Sequence, residues 1–469
     1  MSTEADRLRR SRGHLLRVLG VGFGLAVIIG NTIGAGIFRA PGAIAQQVPN
    51  AWLFIGVWVA GGVYALLGAI ALAELGTMIP KSGGQYVFAR YALGEYAGFI
   101  VGWSDWISTC GSTAAVSLVI GEFSGILFPQ LSGTVLIGPL ESSYAAIIAA
   151  SVAITFAVLQ WRGIVLSSQV QNTTSLLKAL TFLILIVAAF AFGSRVSPAS
   201  ATGASGITTG ATIGLLGIML ALQSVIYTYD GWSGVIYFSE EVKNPGRDVP
   251  RSLFGGIFLI TTIYLLVNLA LLYVLGLSGI AGQGFAAGVA ARIIFGQPGE
   301  TVLISLTIVS MLSGINALHL MATRVLFAMS RDGLFMRQAA SVNKGGTPAV
   351  SLFVSAGVAV LFIIFGKTFE IVITALAFFF VADYALSFAS VFVLRWREPN
   401  KERPYRAWGY PWTIALALLG SIAFLVGAIA SDLRAPSETT KASIYAVFLL
   451  AASYPIFRLL RLLARRQGE

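Results

Sequence analysis

Charged residues are scarce in this sequence: they make up 11% of its 469 residues, whereas a soluble globular chain usually carries about 25%. It holds only two histidines, His14 and His319, and only one cysteine, Cys110. A lone cysteine excludes an internal disulfide, and two distant histidines exclude the usual zinc-ligand spacings. We therefore expect no metal site and no cofactor.

Long apolar runs take the place of charge, since 57% of the residues are hydrophobic. Runs of roughly twenty apolar residues recur from end to end, each long enough to cross a hydrocarbon core of about 30 Å. The fold class predicted is therefore an all-α integral membrane protein with about twelve transmembrane spans. The predicted spans cover 19–46, 51–79, 95–128, 143–160, 166–193, 211–239, 252–277, 299–329, 348–366, 370–394, 411–430 and 442–460.

The formal net charge of +11 reflects where the loops lie and gives no sign of a nucleic-acid partner. Lys and Arg concentrate in alternate loops, most densely before residue 18 and over 395–406. Positively charged loops resist translocation, so this bias predicts a multi-pass protein of the cell inner membrane with both termini in the cytoplasm. Some contact with anionic lipid headgroups is also expected.

Two spans are interrupted by glycines and polar residues. Gly34-Ala35-Gly36 interrupts the first span and Asp230-Gly231 the sixth. Non-helical backbone at membrane depth is tolerated only where it is buried or lines a cavity. Glycines also ease close helix packing, so either motif alone is weak. Interruptions at corresponding positions of two halves indicate the central binding site of a transporter.

An odd number of crossings separates the two breaks, so the halves that contain them have opposite orientations. Spans 1–5 and 6–10 are therefore predicted to form a 5+5 inverted repeat, with spans 11 and 12 appended. A six-plus-six carrier usually has a long central loop, whereas the connection after the sixth span here is short. The predicted segments are 1–18, 19–193, 211–396 and 397–469.

Ordered motifs run along nearly the whole chain. They are Gly34-Ala35-Gly36-Ile37-Phe38, Ala73-Glu74-Leu75-Gly76, Pro80-Lys81-Ser82-Gly83-Gly84, Tyr229-Asp230-Gly231-Trp232, Glu240-Glu241-Val242-Lys243-Asn244-Pro245, Arg331-Asp332-Gly333, Pro404-Tyr405-Arg406 and Gly409-Tyr410-Pro411-Trp412. In this set the chain resembles the amino acid–polyamine–organocation superfamily, within it a bacterial member of the L-type amino acid transporter branch. The resemblance implies the LeuT-like fold, with discontinuous first and sixth spans.

The function implied is sodium-independent secondary transport of neutral L-amino acids, by exchange or facilitation and alternating access. The resemblance assigns the substrate carboxylate to the N–H groups of Ala35 and Gly36, and its ammonium to the carbonyls of Thr32, Tyr227 and Asp230. A helix that starts at membrane depth exposes N–H groups and a positive dipole end, and one that stops there exposes carbonyls. The predicted substrate-binding residues are Thr32, Ile33, Gly34, Ala35, Gly36, Tyr227, Thr228, Asp230 and Gly231.

Aromatic residues near the breaks are candidates for a gate and a pocket wall. Tyr227 aligns with the ring that closes over substrate in the family. Trp232, Phe378 and Phe379 are candidates for shaping the side-chain pocket, although plain packing is an equal alternative for these three. The family usually has Ser where Ala35 stands, so this site has one hydroxyl fewer for the carboxylate.

Lys178 lies in the middle of the fifth span, where a lysine costs at least ~2.5–3.5 kcal/mol. With about a dozen residues on either side, it is poorly placed to snorkel to an interface. The resemblance implies that its ammonium occupies the sodium site of sodium-coupled relatives and ties span 1 to spans 5 and 8.

Four acidic residues lie at or near membrane depth: Asp105, Glu122, Asp230 and Asp383. Asp383 belongs to no motif quoted above. Four roles stay open to it: a proton-linked group, a partner of Lys178, an acceptor for a cationic side chain, or a hydrogen-bonded structural residue.

Three further functions remain. One is a cationic amino acid or polyamine transporter, possibly proton-coupled, that uses Asp383 or Asp105 for the side-chain charge. Another is an integral-membrane enzyme, whose chemistry needs a paired-carboxylate metal site, a histidine motif or a nucleophile with its base; the sequence offers only two isolated histidines. The third is a transport-inactive sensor of transporter ancestry. Mammalian L-type carriers join an ancillary subunit through a cysteine of the 3–4 loop. Residues 130–142 contain none, so the expected partners are the amino acid and the lipid bilayer.

Overall fold

The computed structural model describes residues 15–48, 50–137, 140–193, 215–366, 369–434 and 441–466. Within these residues, nine helices are long and apolar enough to cross a membrane, and a bent pair in the first span adds a tenth. The shorter helices Leu215–Tyr229 and Ala349–Gly366 complete the predicted set. The predicted all-α multi-pass membrane fold is confirmed. The basic stretch up to residue 14 lies outside the described residues.

The spans are named by their order in the chain. They run over Val21–Thr32 with Ala35–Gln47, Ala51–Met78, Glu95–Leu127, Tyr144–Trp161, Ile164–Phe192, Leu215–Tyr229 with the 3-10 turn Gly234–Phe238, Pro245–Ile280, Ala286–Arg331, Ala349–Gly366, Phe369–Arg397, Trp412–Arg434 and Ala442–Arg466.

The seventh and eighth spans begin earlier than the sequence predicts. The seventh starts at Pro245 and not near residue 252, because proline is accepted in a first helical turn, where its missing N–H is not needed. The eighth starts at Ala286 and not near residue 299. The helix kinks at Gly296, whose φ is +72°, two residues before Pro298. Because glycine and proline are also typical of the start of a helix, the sequence predicts the start at this point.

Two elements were not predicted. A short helix, Gln85–Leu93, follows the second span. It comes directly after Gly83 and Gly84, whose φ values of +123° and +62° make a turn that favours glycine. In the loop between the third and fourth spans, strands β1 (Thr134–Ile137) and β2 (Leu140–Ser143) pair antiparallel.

The contacts between spans follow a paired pattern. The second span packs on the seventh, the third on the eighth and the fourth on the ninth. The third also packs on the tenth, as the eighth does on the fifth. Two halves of five equivalent spans predict these paired contacts. The inverted relation between the halves stays a prediction. Large apolar side chains such as Leu176, Phe258 and Phe365 are exposed on the outside, as expected of a surface that faces lipid.

The connections 79–94, 239–244, 332–348 and 398–411 lie at one end of the bundle, which we call the basic end. Contacts of Glu240 with Ser82 and Arg331, and of Glu398 with Tyr91, join them. Here Arg324 Nε and Nη2 each lie 3.0 Å from a carboxylate oxygen of Glu241, and both side chains are fully buried. The neighbouring Glu240 pairs with Arg331 at 2.9 Å and accepts a hydrogen bond from the N–H of Ser82.

Backbone pairing closes the same end. Leu19, just before the first span, forms a parallel bridge with Val242 after the sixth. The Leu19 N–H donates to the Glu241 carbonyl at 3.0 Å, and the Lys243 N–H donates to the Leu19 carbonyl at 2.8 Å. The segments around both broken spans are therefore joined to each other at the basic end.

Replacement of Arg324 tests this closure. Arg324→Met leaves the Glu241 carboxylate buried without its partner, which should lower the free energy of unfolding by about 3–5 kcal/mol. The double variant Arg324→Met/Glu241→Met should recover most of that loss. Unfolding in mixed detergent micelles measures both.

Arg331→Met is the matched control, because Arg331 and Glu240 are partly exposed and such pairs contribute about 0–1 kcal/mol. Equal losses for Arg324→Met and Arg331→Met would contradict the assignment of a buried structural pair.

Candidate functional site

The first span is broken as predicted. One helix ends at Thr32, the next begins at Ala35, and their axes differ by 45°. Gly34 precedes the second helix, and no side chain caps its N-terminus. The N–H groups of the first turn after the break therefore lack the partner that a capping side chain would give.

The sixth span is broken at the same depth of the fold. Its helix ends at Tyr229, and a turn through Asp230 and Gly231 leads into the 3-10 turn Gly234–Phe238. Gly231 has a φ of +104°, a conformation that side chains disfavour. A Cβ atom there would also lie 2.9 Å from the backbone nitrogen of Thr32, so the two breaks are in close contact.

A second glycine brings the broken helices together. A Cβ atom at Gly36 would lie 2.9 Å from Thr228 Oγ1 and 3.0 Å from Thr228 Cα. Any larger residue at this position would push the two spans apart.

Between the breaks lies a narrow cavity of about 30 Å³, which we call the central cavity. Six predicted site residues line it: Thr32, Gly34, Gly36, Tyr227, Thr228 and Asp230. The lining is completed by residues that were not predicted: Asn31, Ser112, Val116 and Leu318. Nothing in the sequence distinguishes Ser112 or Leu318 from other residues of an apolar helix, so only their packing reveals them.

Tyr264 of the seventh span joins the two breaks, and no sequence pattern pointed to it. Its hydroxyl lies 2.7 Å from the Thr32 carbonyl and 2.8 Å from the Thr228 carbonyl. One hydroxyl proton thus serves the last turns of both broken helices. The Tyr264 ring packs against Trp58 and Tyr229, which fixes the hydroxyl in place.

Some carbonyls that the prediction left free for an ammonium group already accept a hydrogen bond. Besides Thr32, the Tyr227 carbonyl accepts the Asp230 N–H at 3.1 Å, and that N–H is shared with Ile226. A carbonyl oxygen has two lone pairs, so each of these acceptors retains capacity for a ligand.

Lys178 reaches the break in the first span. Its fully buried ammonium donates to the carbonyl of Gly30 at 2.8 Å and to that of Ile33. Two residues one and two turns earlier on the same face, Ser175 and Gln171, donate to the Ala26 carbonyl at 2.7 and 3.1 Å. These three residues form a polar stripe on the fifth span that pairs with backbone carbonyls of the first.

The prediction that Lys178 ties three spans together agrees only in part with these contacts. The hydrogen bonds described for its ammonium reach the first span alone. The link to the eighth span is made by its neighbours, since Ser175 and Gln171 lie 3.0 and 3.2 Å from Ser313 Oγ. The polar stripe as a whole therefore holds the broken first span in place.

Asp230 lines the central cavity, and Asp383 lies on the tenth span. The Tyr384 hydroxyl donates to Asp230 at 2.7 Å, and the Ser104 hydroxyl donates to Asp383 at 2.7 Å. Asp383 and Lys178 thus bond to different groups, so the suggested pairing between them is not seen. Both carboxylates face hydroxyl groups, which are neutral partners.

The predicted aromatic wall differs from the residues that line the cavity. Trp232 is buried and stacks on Tyr384, with ring centroids 5.1 Å apart. Phe378 and Phe379 are buried but do not line the central cavity. On a helix, neighbours in sequence point in different directions, so the tenth span turns other side chains, among them Tyr384, towards the sixth.

A vestibule leads towards the central cavity from the side away from the basic end. It has a volume of about 220 Å³ and is lined by Gln46, Gln47, Gln223 and Ser224 among others. Tyr227 follows Gln223 by one helical turn and lines the central cavity, so it stands between the two spaces. Nearby, Arg39 and Glu122 form an ion pair that is partly exposed.

Comparison with known proteins agrees with this arrangement. The family model described as "Amino acid permease" matches residues 24–453. The serine/threonine exchanger SteT of Bacillus subtilis is 29% identical over 440 residues, covering 92% of this chain and 94% of that protein. The b(0,+)-type amino acid transporter 1 of Mus musculus is 26% identical, covering 86% and 81%. The Asc-type amino acid transporter 1 of Mus musculus is 27% identical, covering 84% and 73%.

Removal of one hydroxyl tests the junction at Tyr264. Tyr264→Phe leaves the Thr32 and Thr228 carbonyls without this donor, which should lower the free energy of unfolding by about 1–3 kcal/mol. Tyr273→Phe, on the same span but half exposed, should change it by less than about 0.5 kcal/mol. Denaturation in mixed micelles measures both. A loss no greater for Tyr264→Phe than for the control would refute the bridging role.

Proposed function

Given that the chain belongs to the amino acid permease family, we propose that it is a sodium-independent secondary transporter of neutral L-amino acids. It works by alternating access, as an exchanger or facilitator. The observation that carries this proposal is the central cavity, in which the ends of two broken helices meet.

The ends of the broken helices suit the two charges of an amino acid. The N-terminus of the helix that begins at Ala35 provides N–H groups and a positive dipole end for the carboxylate. The last turns of the helices that end at Thr32 and Tyr229 provide carbonyls for the ammonium. We assign the carboxylate to the N–H groups of Ala35 and Gly36, and the ammonium to the carbonyls of Thr32, Tyr227 and Asp230.

The strength of such contacts is appropriate for a carrier. Each charge–dipole contact contributes about 0.3–2 kcal/mol. A handful therefore gives about 4–8 kcal/mol, which corresponds to dissociation constants between ~1 mM and ~1 μM. Tighter binding would slow release, on which turnover depends.

Tyr227 is the proposed gate. Its position between the vestibule and the central cavity lets its ring close over a bound amino acid from the vestibule side. The opposite route is closed by the ion pairs of the basic end. We also propose that this end faces the cytoplasm of a cell whose inner membrane holds the protein, because positively charged loops favour that side.

Neutral substrates are favoured by the comparison with the serine/threonine exchanger. A second candidate, transport of cationic amino acids or polyamines, is favoured by Asp105, Asp230 and Asp383. Asp105 and Asp383 are buried and Asp230 is partly buried. The side-chain hydrogen bonds described for these carboxylates come from hydroxyl groups and not from basic side chains. Competition with labelled substrate by alanine or serine, as against arginine or putrescine, separates the two candidates.

Sodium independence rests on Lys178. A fixed ammonium that holds the carbonyls of Gly30 and Ile33 supplies the positive charge that a sodium ion would otherwise bring to this break. A disulfide-linked subunit is not part of the proposal, because the single cysteine, Cys110, is buried within the third span.

Uptake into liposomes tests the function directly. Purified protein in vesicles preloaded with unlabelled serine should take up labelled serine, and replacement of external sodium by choline should change the initial rate by less than twofold. Empty vesicles and vesicles with a pH gradient complete the set. A requirement for a sodium gradient would refute the proposed mechanism, and absence of uptake for a full panel of amino acids would refute the function.

Lys178→Met tests the role of the ammonium. The variant retains much of the side-chain volume but leaves the Gly30 and Ile33 carbonyls without their donor, so we expect the initial rate of uptake to fall at least tenfold. The protein should still fold, because removal of a buried charge also removes its desolvation cost. Leu176→Met, on the lipid-facing side of the same span, is the control. Unchanged uptake by Lys178→Met would show that the lysine is dispensable.

A further inference from the structure

A second cavity adjoins the central cavity towards the basic end, and we call it the inner cavity. It has a volume of about 10 Å³, enough for one water-sized group such as an ammonium, and shares Asn31, Asp230 and Leu318 with the central cavity. Tyr237, which lines it, lies three residues before Glu240 and four before Glu241. The inner cavity therefore lies between the proposed amino acid site and the ion pairs that close the basic end.

The lining of the inner cavity is polar, yet it contains no lysine, arginine or histidine. Its polar members beyond those shared are Gln85, Asp105, Thr109, Ser233 and Tyr237. The inner cavity therefore has hydrogen-bond acceptors that belong to several spans and surround one carboxylate.

Asp105 is the carboxylate of this cavity. It is 2% exposed, and its Oδ1 accepts hydrogen bonds from the Tyr237 hydroxyl at 2.9 Å and, more weakly, the Thr109 hydroxyl at 3.4 Å. Its other oxygen, Oδ2, is buried and has no hydrogen-bond partner in the described part of the chain. An acceptor buried in this way is costly unless a ligand satisfies it.

Two neighbouring acidic residues make a cation beside Asp105 more favourable. Asp230 and Asp383 lie close enough to Asp105 for their charges to interact, and Oδ2 of Asp383 is likewise buried without a partner. Carboxylates buried together are stable only when protons or cations compensate their charge. In the described part of the chain, no group of three acidic, histidine or cysteine residues is arranged to hold a metal ion.

We propose that the inner cavity is a second binding site, which takes a primary ammonium group on Oδ2 of Asp105. An ammonium group has three N–H donors. One would reach the carboxylate, and the amide oxygen of Gln85 and the hydroxyl of Ser233 are acceptors for the others. This inference rests on the proposed function only for the identity of the molecule that carries the ammonium.

Two sources of the ammonium share this chemistry. One is the α-ammonium of an amino acid that leaves the central cavity through the basic end, which would make the inner cavity a staging site for release. The other is the side-chain ammonium of a basic amino acid bound in the central cavity. The adjacency of the two cavities allows both, so the experiment has one arm for each source.

Binding of methylammonium, a primary ammonium without a carboxylate, tests the site independently of transport. Methylammonium chloride should raise the melting temperature of the purified protein more than sodium chloride does at equal ionic strength. Asp105→Asn, which keeps the shape of the side chain, should weaken the apparent affinity for methylammonium at least tenfold. The control Asp432→Asn, at the end of the eleventh span, should leave the apparent affinity for methylammonium unchanged. Asp105→Thr is a second variant that removes the carboxylate.

The outcomes separate the site from the carrier function. A methylammonium shift that survives in both Asp105 variants, or an equal shift with sodium, overturns the proposal. If the wild-type protein takes up no amino acid, the proposed function is refuted. The binding of methylammonium still tests the inner cavity in that case.

Uptake measurements on Asp105→Asn then identify the source. If the α-ammonium passes through the inner cavity, maximal uptake of serine falls while its half-saturation concentration in the central cavity stays the same. If the side-chain ammonium is bound, serine uptake is unchanged and competition by lysine weakens tenfold or more. Either pattern supports an ammonium site at Asp105, and unchanged behaviour of both substrates contradicts it.

Discussion

Backbone groups freed at membrane depth have no water to bond, and this constraint governs the centre of the molecule. Two spans stop in mid-membrane, and each break leaves donors and acceptors that must be satisfied by protein or ligand. The protein supplies partners mainly for the carbonyls. Tyr264 serves Thr32 and Thr228, and Lys178 serves Gly30 and Ile33. The helix N-terminus at Ala35 has no side-chain cap. This asymmetry leaves N–H groups and a positive dipole end at the break, which suit the carboxylate of the proposed substrate.

Charge is distributed around the breaks in the same asymmetric way. The one lysine at this depth is held by carbonyls of the first span, whereas Asp230 and Asp383 are held by hydroxyls of the third and tenth. Separation of opposite charges in a region of low dielectric constant costs energy unless each finds local partners. The Lys178 ammonium pairs with the broken first span, whereas the Asp230 carboxyl group lines both the central and the inner cavity.

The sequence predicted the features that depend on composition and local pattern. The spans follow from apolar length, and the breaks at Gly34 and Asp230 follow from glycines and polar residues where apolar helix is expected. Lys178 was identified because a lysine at mid-membrane is costly. Tyr264, Ser112 and Asn31 were missed, since their roles depend on which helix faces which and not on residue type. Phe378 and Phe379 were chosen for their chemistry, but the rotation of the tenth span, which periodicity fixes poorly in an all-apolar helix, turns other residues towards the sixth.

The two ends of the bundle are closed to different degrees, and this difference bears on how alternation is driven. At the basic end, Arg324 and Glu241 are fully buried, and a backbone bridge joins Leu19 to Val242. At the other end, Arg39 and Glu122 pair in partial contact with solvent, beside a vestibule. Opening the basic end would expose a buried pair and break the Leu19 bridge, whereas opening the vestibule side disturbs a weaker contact. A ligand shifts such an equilibrium only by its differential affinity for the two states. If the chain is the proposed carrier and its amino acid drives opening of the basic end, the amino acid binds the inward-opening state more tightly than the state described here. The helix ends on both sides of the central cavity are the groups whose rearrangement can supply that difference.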